Sequence, residues 1–383
     1  MTTTGRHHRI LINAIHARAG GGVTYLRNLL PLLAAEADFE LHLIPHPDQK
    51  DMFAAIVPVI RLHNVAMPRS WILLLLWEQL VLPFIACRIG FDAVLSPANF
   101  APLALPAQVI VVQNAVGVGA HEHRLGKKIY WAVLRVMTVL SLLVARRAIA
   151  VSRYVADTAG PALRGATLTV VHHGVEAVFS PTRTGPPPGD LFLLAVGDLY
   201  VQKNLHHLIE TLVVVRRRYP TVTLRIAGAE IDPGYAAALR HRIVALGLSE
   251  AAILVGRCPI AELVELYRSC AVFVFPSSLE SFGMPLVEAM ACGAPVVASN
   301  TGAVPEIAGG AALLCDPAEP HDIAEKILLV LDDPALRQSL RDRSLARAKA
   351  FSWETCARQT ASILRDVAAS RSGRRIASPS PPR

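Results

Sequence analysis

Residues 280–288 read Glu-Ser-Phe-Gly-Met-Pro-Leu-Val-Glu, and the chain changes character on either side of them. Upstream, AVFVFPSS at 271–278 is a β-branched and aromatic run of strand length that breaks at Pro276. Downstream, PLVEAMACG at 285–293 opens with a proline suited to a first helical turn and stops at a glycine, before a second apolar strand, APVVAS, at 294–299. Strand, loop, helix and strand in that order place the loop at the carboxyl end of a parallel strand, where open α/β sheets bind ligands. The backbone N–H groups of Phe282, Gly283 and Met284 then sit at a helix N-terminus, a site for an anion. Glu280 falls in the loop and Glu288 about one turn into the helix, at ~1.5 Å per residue. Carboxylates accept pairs of hydroxyl hydrogen bonds, so two of them beside an anion site suit a phosphate flanked by polyols, as in a nucleotide sugar. On spacing alone a plainer reading stays open, in which Glu288 complements the helix dipole and Glu280 is a solvated loop residue.

Glu280 and Glu288 with Phe-Gly-Met-Pro between them resemble the Glu-x7-Glu signature of retaining GT-B glycosyltransferases, family 4, and the likeness continues through PLVEAMACGAPVVASNTGAVPEIAGGAALLCDP at 285–317. The resemblance implies an α/β protein of GT-B fold, two Rossmann-like domains facing across a crevice. The second would hold a nucleotide sugar and the first the acceptor. It also implies sugar transfer with retention, in which the departing diphosphate takes the acceptor's proton, so that no protein nucleophile, no cofactor and no essential metal is needed. The donor would be a mannose-type GDP sugar or a UDP-sugar, and the acceptor a glycan or lipid-linked glycan of surface polysaccharide or glycolipid synthesis. Two other classes stand beside this one: a GT-B nucleotide-sugar epimerase, and a non-catalytic, membrane-associated nucleotide-sugar binder.

A length of 383 residues exceeds one ordinary core and argues for two domains. With 52% hydrophobic and 18% charged residues the chain is apolar for a cytoplasmic enzyme, which points to a face that meets lipid. The six cysteines form no Cys-x-x-Cys pair and read as reduced thiols, and MTTTGRHHR at the start has no apolar core of a secretory signal. The expected location is the cytoplasm, with peripheral attachment at the inner face of the membrane as an extension. The net charge of +8 is dispersed and no nucleic-acid motif accompanies it, so nucleic acid is not an expected partner.

Within the first domain, expected over 1–181, RILINAI at 9–15 is a buried-strand pattern that runs through Gly20-Gly21-Gly22 into an amphipathic helix. The resemblance makes Gly21 and Gly22 part of the loop near the donor phosphates. WILLLLWEQLVLPFIA at 71–86 is the most apolar window; Glu78, Gln79 and Pro83 make it a buried or interfacial helix rather than a span. Residues 40–66 read as short strands and loops. AQVIVVQNAVGV at 107–118 is a strand whose end, by resemblance, lies beside the sugar; Gln113 and Asn114 stand where the family usually has a His-Asp or similar pair, on the acceptor or sugar side. His121-Glu122-His123 lacks a third ligand at a recognisable spacing, so no metal site is assigned. The segment 121–147, with Lys127, Lys128, Arg146 and Arg147 around an apolar helix, suits an anionic membrane surface. Ser152 caps a helix and is also placed on the acceptor side.

Three consecutive prolines mark 182–190 as the linker. The second domain, over 191–350, opens with a strand, a turn at Gly197 and a helix preceded by Lys203-Asn204. The resemblance gives Lys203 the donor diphosphate and, with Glu280, the catalytic role; Gly197, Asn204 and Arg257 join Glu288, Phe282, Gly283 and Met284 on the donor. Asp198 and Gln202 stand where many family members have an arginine. Residues 351–370 resemble the family's last helix, which crosses back to the first domain, and the basic, proline-rich 371–383 reads as a disordered tail.

Overall fold

The computed structural model describes residues 7–17, 20–56, 59–114, 125–160, 167–181 and 191–376. The chain forms two compact units, Met1–Gly174 with Trp353–Arg383, and Val175–Ser352. The first is built on the parallel strands β1 (His8–Ala14), β2 (Phe39–Pro45), β3 (Arg61–Leu62), β4 (Ala93–Ser96), β5 (Gln108–Val112), β6 (Arg147–Ala150) and β7 (Thr167–Val170), in the order β3-β2-β1-β4-β5-β6-β7. Its helices are α1 (Gly21–Ala34), α2 (Lys50–Ile56), α3 (Trp71–Leu80), α4 (Leu82–Ile89), α5 (Leu125–Val144) and α6 (Arg153–Ala159). Ile10, Leu11, Ile12, Val94 and Leu95 are fully buried, as parallel strands covered on both faces require.

Two expectations for this unit change. The 40–66 stretch contains a helix, α2, between its strands. The apolar window at 71–86 is two helices, α3 and α4, bent by 43°, because Pro83 in the first turn of α4 has no N–H to continue the ladder. Among the described residues no single helix is long and apolar enough to cross a membrane.

The second unit carries β8 (Phe192–Val196), β9 (Thr223–Ala227), β10 (Ala252–Gly256), β11 (Val272–Phe275), β12 (Val296–Ser299) and β13 (Ala312–Cys315), all parallel, in the order β10-β9-β8-β11-β12-β13. Its helices are α7 (Leu205–Arg216), α8 (Pro233–Ala245), α9 (Ile260–Ser269), α10 (Met284–Ala291), α11 (Val304–Ala308), α12 (Pro320–Asp332) and α13 (Pro334–Ala348). Counted within the unit, the strand order is 3-2-1-4-5-6, the doubly wound arrangement whose order reverses between β8 and β11.

The units divide at Gly174, ahead of the 181–182 boundary read from composition; the 182–190 linker lies outside the described residues. Residues 175–180 belong with the second unit because Val175 N–H donates to Phe351 O at 3.2 Å and the Arg268 guanidinium donates to Ser180 O at 2.7 Å. The last helix, α14 (Trp353–Ile376), belongs to the first unit. Arg365 clamps it to Asp38 at 2.7 Å and Glu36 at 2.5 Å, and Trp353 packs with Tyr25 and His173, whose imidazole burial drives down to a pKa of about 3. Within the stretch expected to be a disordered tail from 371, α14 continues to Ile376, with the Arg371 guanidinium 4.1 Å from the Phe91 ring centre; 377–383 lie outside the described residues.

Candidate functional site

The strand order of the second unit reverses between β8 and β11, the place in a doubly wound sheet where the loops after the two strands leave to opposite sides and ligands bind between them. After β8 the backbone makes Gly197, Asp198 and a short 3-10 turn over Val201–Lys203 before α7. The loop is pinned low. Leu199 N–H donates to Ala229 O at 2.8 Å and Asp198 Oδ1 accepts from Ala229 N–H at 3.1 Å. Only glycine fits at 228, where a Cβ would stand 2.0 Å from Gly197 O. A Cβ at Gly197 would in turn stand 2.9 Å from Lys203 Cε, so the missing side chain is what lets the lysine stem lie across the loop.

Lys203 is 8% exposed, and its ammonium lies 2.6 Å from Glu280 Oε1. Glu280 comes from the loop after β11, which is stitched to the first loop where Ser278 N–H donates to Gln202 O at 2.9 Å. From the other side, Ala303 N–H donates to Glu280 O at 3.0 Å, and a Cβ at Gly302, whose φ is 60°, would come within 2.7 Å of that oxygen. Burial works against the Lys203 charge, but Glu280 and then Tyr200 outweigh it, and its pKa stands above the ordinary lysine value. Removing one member of such a buried pair typically costs ~3–5 kcal/mol because the other charge is left stranded. A second anion, a phosphate, can replace Glu280 on Lys203 without that penalty, and the freed carboxylate can then accept from hydroxyls.

Glu288, in α10, lies apart from this pair in its bonding: its Oε2 accepts from the Tyr267 hydroxyl of α9 at 2.9 Å. Burial, opposed by that hydrogen bond and reinforced by Glu176, pushes its pKa from 4.5 up to about 7. Neither Tyr267 nor Glu176 was visible in the sequence as part of the site, since they lie outside the 280–288 stretch and carry no spacing signal.

The remaining expected residues divide. Gly283 is the N-cap of α10 with φ 92° and no side-chain cap bond, so Gly283 and Met284 sit at an uncapped helix N-terminus, whereas the Phe282 side chain is buried edge-on against Phe351. The Asn204 amide is spent on Pro317 O and the residue is buried with a left-handed backbone, so its side chain holds the loop. Arg257 is exposed just beyond β10. In the first unit, Gly21 starts α1 and a Cβ there would stand 3.5 Å from Gln113 Oε1; Gly22 follows it. Asn99, with φ 68°, accepts from the N–H groups of Gln113 at 2.7 Å and Asn114 at 3.0 Å. Ser152 is fully buried and its Oγ accepts from Val155 N–H at 3.2 Å, the expected helix cap. His121-Glu122-His123 lies outside the described residues, among which no cluster of three or more His, Cys, Asp or Glu could hold a metal.

Residues 179–347 match the family Glycosyl transferases group 1. O-antigen chain mannosyltransferase B of Escherichia coli is 37% identical over 174 residues, 44% of this chain and 44% of that protein. Glycogen synthase of Mycobacterium tuberculosis is 35% identical over 214 residues, 53% of this chain and 49% of that protein. The chain thus spans about half the length of these relatives or less. The solved structure of HepE from Anabaena in complex with UDP and glucose superposes with a TM-score of 0.74 at 20% identity, over 94% of this chain and 100% of that one. The chain therefore has the GT-B fold, and its sequence similarity to the family Glycosyl transferases group 1 covers residues 179–347, within the second unit.

Because burial retains the Glu288 proton up to about pH 7, a ribose role for this carboxyl has a pH signature: hydroxyls donating to it would favour the ionised form, and binding would expel the proton. Affinity for a bare nucleoside, uridine or guanosine, should rise between about pH 6 and about pH 8, and the slope should vanish in Glu288→Gln. Folding carries the opposite sign. Because the folded pKa lies above the unfolded one, this carboxyl's contribution is intact below 4.5 and lost as pH rises through about 7. Calorimetric titration across that interval checks the prediction, and a flat wild-type profile contradicts it.

Proposed function

We propose that the chain is a retaining GT-B glycosyltransferase of family 4 that moves a hexose from a nucleotide sugar to a glycan or lipid-linked acceptor in surface polysaccharide or glycolipid synthesis. The observation that carries this reading is the buried Lys203–Glu280 pair, set between the two loops of the order reversal and close in sequence to the uncapped α10 N-terminus. A donor diphosphate takes Lys203 and the Gly283 and Met284 N–H groups, and Glu280 turns to the hydroxyls of the sugar. The bond from the sugar's anomeric carbon to the diphosphate breaks, the bond to the acceptor oxygen forms on the same face, and the acceptor's proton goes to the departing phosphate. Stabilising that leaving charge is the protein's main contribution, with no metal required. Likeness to a mannosyltransferase supports a GDP-mannose-type donor, and likeness of fold to a protein bound to UDP and glucose supports a UDP-sugar.

Labelled GDP- and UDP-sugars offered to the wild-type protein should give nucleoside diphosphate release from one of them. Glu280→Gln should cut turnover by about 100-fold or more, the scale for losing a group that acts mainly in the transition state. Its affinity for the free diphosphate should hold or tighten, since Lys203 is then released from its partner. Proportional loss of turnover and affinity contradicts the role given to Glu280.

The proposed location is cytoplasmic and peripheral to the membrane, and the surface of the first unit supports the membrane part of this reading. On α3, Leu74 and Glu78 turn inward, while Ile72, Leu73, Leu76 and Leu80 are exposed; Phe84 on α4 is 74% exposed. Trp71 meets Tyr130 edge-on at 5.1 Å, which joins this face to α5 with its exposed Ile129, Val136, Leu140 and Val144. Lys128 and Arg135 on α5 and Arg69 ahead of α3 are exposed. Arg147, one of the cations read as flanking the helix, starts β6 and donates to Thr167 Oγ1, and the Lys127 side chain lies outside the described residues. An apolar face with cations suits an anionic bilayer, each cation contributing about 1 kcal/mol. The protein should sediment with anionic vesicles at low salt and be released at high salt, and Lys128→Gln with Arg135→Gln should weaken the binding. Protein that stays in the supernatant at low salt contradicts the membrane reading.

A further inference from the structure

The first unit has an order reversal of its own, between β1 and β4, and beside it is a buried carboxylate that no part of the proposed donor site uses. Glu78 of α3 is 0% exposed. Its Oε1 accepts from Asn13 Nδ2 at 2.6 Å and its Oε2 lies 2.9 Å from His16 Nε2. Asn13 is in β1 and His16 just beyond it, at the carboxyl end of the strand. Ile12 pairs with Leu95, so Asn13 and Ser96 are next in register on neighbouring strands, and both are buried. Asn13 Oδ1 and Ser96 Oγ have no hydrogen-bond partner among the described residues.

A carboxylate only accepts, and Asn13 already donates to it, so the nitrogen of His16 that faces Glu78 carries the proton. In the neutral imidazole this gives the Nε2–H tautomer and leaves Nδ1 as the acceptor nitrogen. Phe100 packs on the imidazole at 4.7 Å between ring centres and sets its plane. The His16 side chain is 21% exposed, and Nδ1 makes no hydrogen bond among the described residues. Phe100 follows Asn99, which holds the Gln113 and Asn114 backbone, so His16 belongs to the same rim of strand ends as Gly21 and Gln113. Fixing a histidine tautomer with a wholly buried carboxylate is an arrangement that serves an acceptor atom aimed at a ligand.

We propose that His16 Nδ1 accepts a hydrogen bond from a non-reacting hydroxyl of the acceptor, and that Glu78 and Asn13 are its positioning residues. The acceptor is thereby a polyol, recognised through a hydroxyl beside the one that attacks; the attacking hydroxyl keeps its own proton for the departing phosphate. This inference rests on the glycosyltransferase reading.

The experiment compares transfer from labelled GDP-mannose or UDP-glucose to methyl α-mannopyranoside with transfer to methanol, which has no second hydroxyl. The wild-type protein should favour the glycoside. In His16→Ala the ratio should fall roughly 10- to 100-fold, the scale of one hydrogen bond left unmade in a site built for it, while the donor KM and diphosphate affinity hold. His16→Asn, whose side-chain oxygen can stand where Nδ1 stood, should restore part of it. In Glu78→Gln the ratio should fall and the imidazole nitrogen resonances should show the fixed Nε2–H tautomer lost. A ratio unchanged in His16→Ala, an equal loss of donor affinity, or a wild-type protein with no preference for the glycoside overturns this inference alone. A wild-type protein that turns over no nucleotide sugar overturns the transferase reading and this inference with it.

Discussion

A lysine ammonium and a glutamate carboxylate 2.6 Å apart, each with a side chain no more than 15% exposed, are held where two strand ends diverge. Much of the second unit is arranged to make that contact tolerable. The lysine stem needs the empty space at Gly197, the Gly197 carbonyl needs the empty space at Gly228, and the Glu280 carbonyl needs the empty space at Gly302. Ser278 and Gln202 tie the two loops so that neither charge can retreat to water. A buried ion pair contributes little net stability compared with apolar packing of the same volume. Its presence at the carboxyl end of the strands of a doubly wound sheet fits the exchange proposed above, in which an incoming phosphate would take over one partner and hydroxyls the other, the desolvation cost having been met before the ligand arrives.

The first unit answers the same constraint differently. Helix α3 is turned inside out, with its one carboxylate inward on Asn13 and His16 and most of its leucines outward. A globular helix that only filled a core would face the other way. Inward, Glu78 orders a polar rim at the strand ends; outward, the exposed leucines and the Trp71–Tyr130 contact make up the face proposed above to meet lipid. On the proposed reading, one helix links where the protein sits to what it accepts.

The fold was legible where local signals agree. Pro285 and Gly293 bracket α10, β-branched runs mark β11 and β12, and Ser152 caps α6. What the sequence hid was long-range or bent. The Lys203–Glu280 contact joins residues 77 apart, and no local period announces it. Helix α13 escaped notice although Asp333-Pro334 is a start signal, Asp333 accepting from Ala335 and Leu336 N–H, because its weak apolar stripe gives little periodicity. The prolines at 186–188 drew the domain boundary toward themselves, while the backbone bond from Val175 to Phe351 decided it at 174. Glu78 was noticed only as an obstacle to a membrane span, since its partners lie 62 and 65 residues away. Asn204 and Ser152 each make a hydrogen bond inside the fold, the one to Pro317 O and the other from Val155 N–H.

The exchange on Lys203 is the claim on which the rest turns, and calorimetry of Lys203→Ala against the wild-type protein tests it most directly, with a nucleoside diphosphate and its parent nucleoside as ligands. If the ammonium passes from Glu280 to the diphosphate, the substitution should weaken diphosphate binding by about 1.5–3 kcal/mol, the range for a charged hydrogen bond, and leave nucleoside binding nearly unchanged. Equal losses for the two ligands, or none for either, would contradict the exchange and leave the Lys203–Glu280 pair as a structural bridge between two loops.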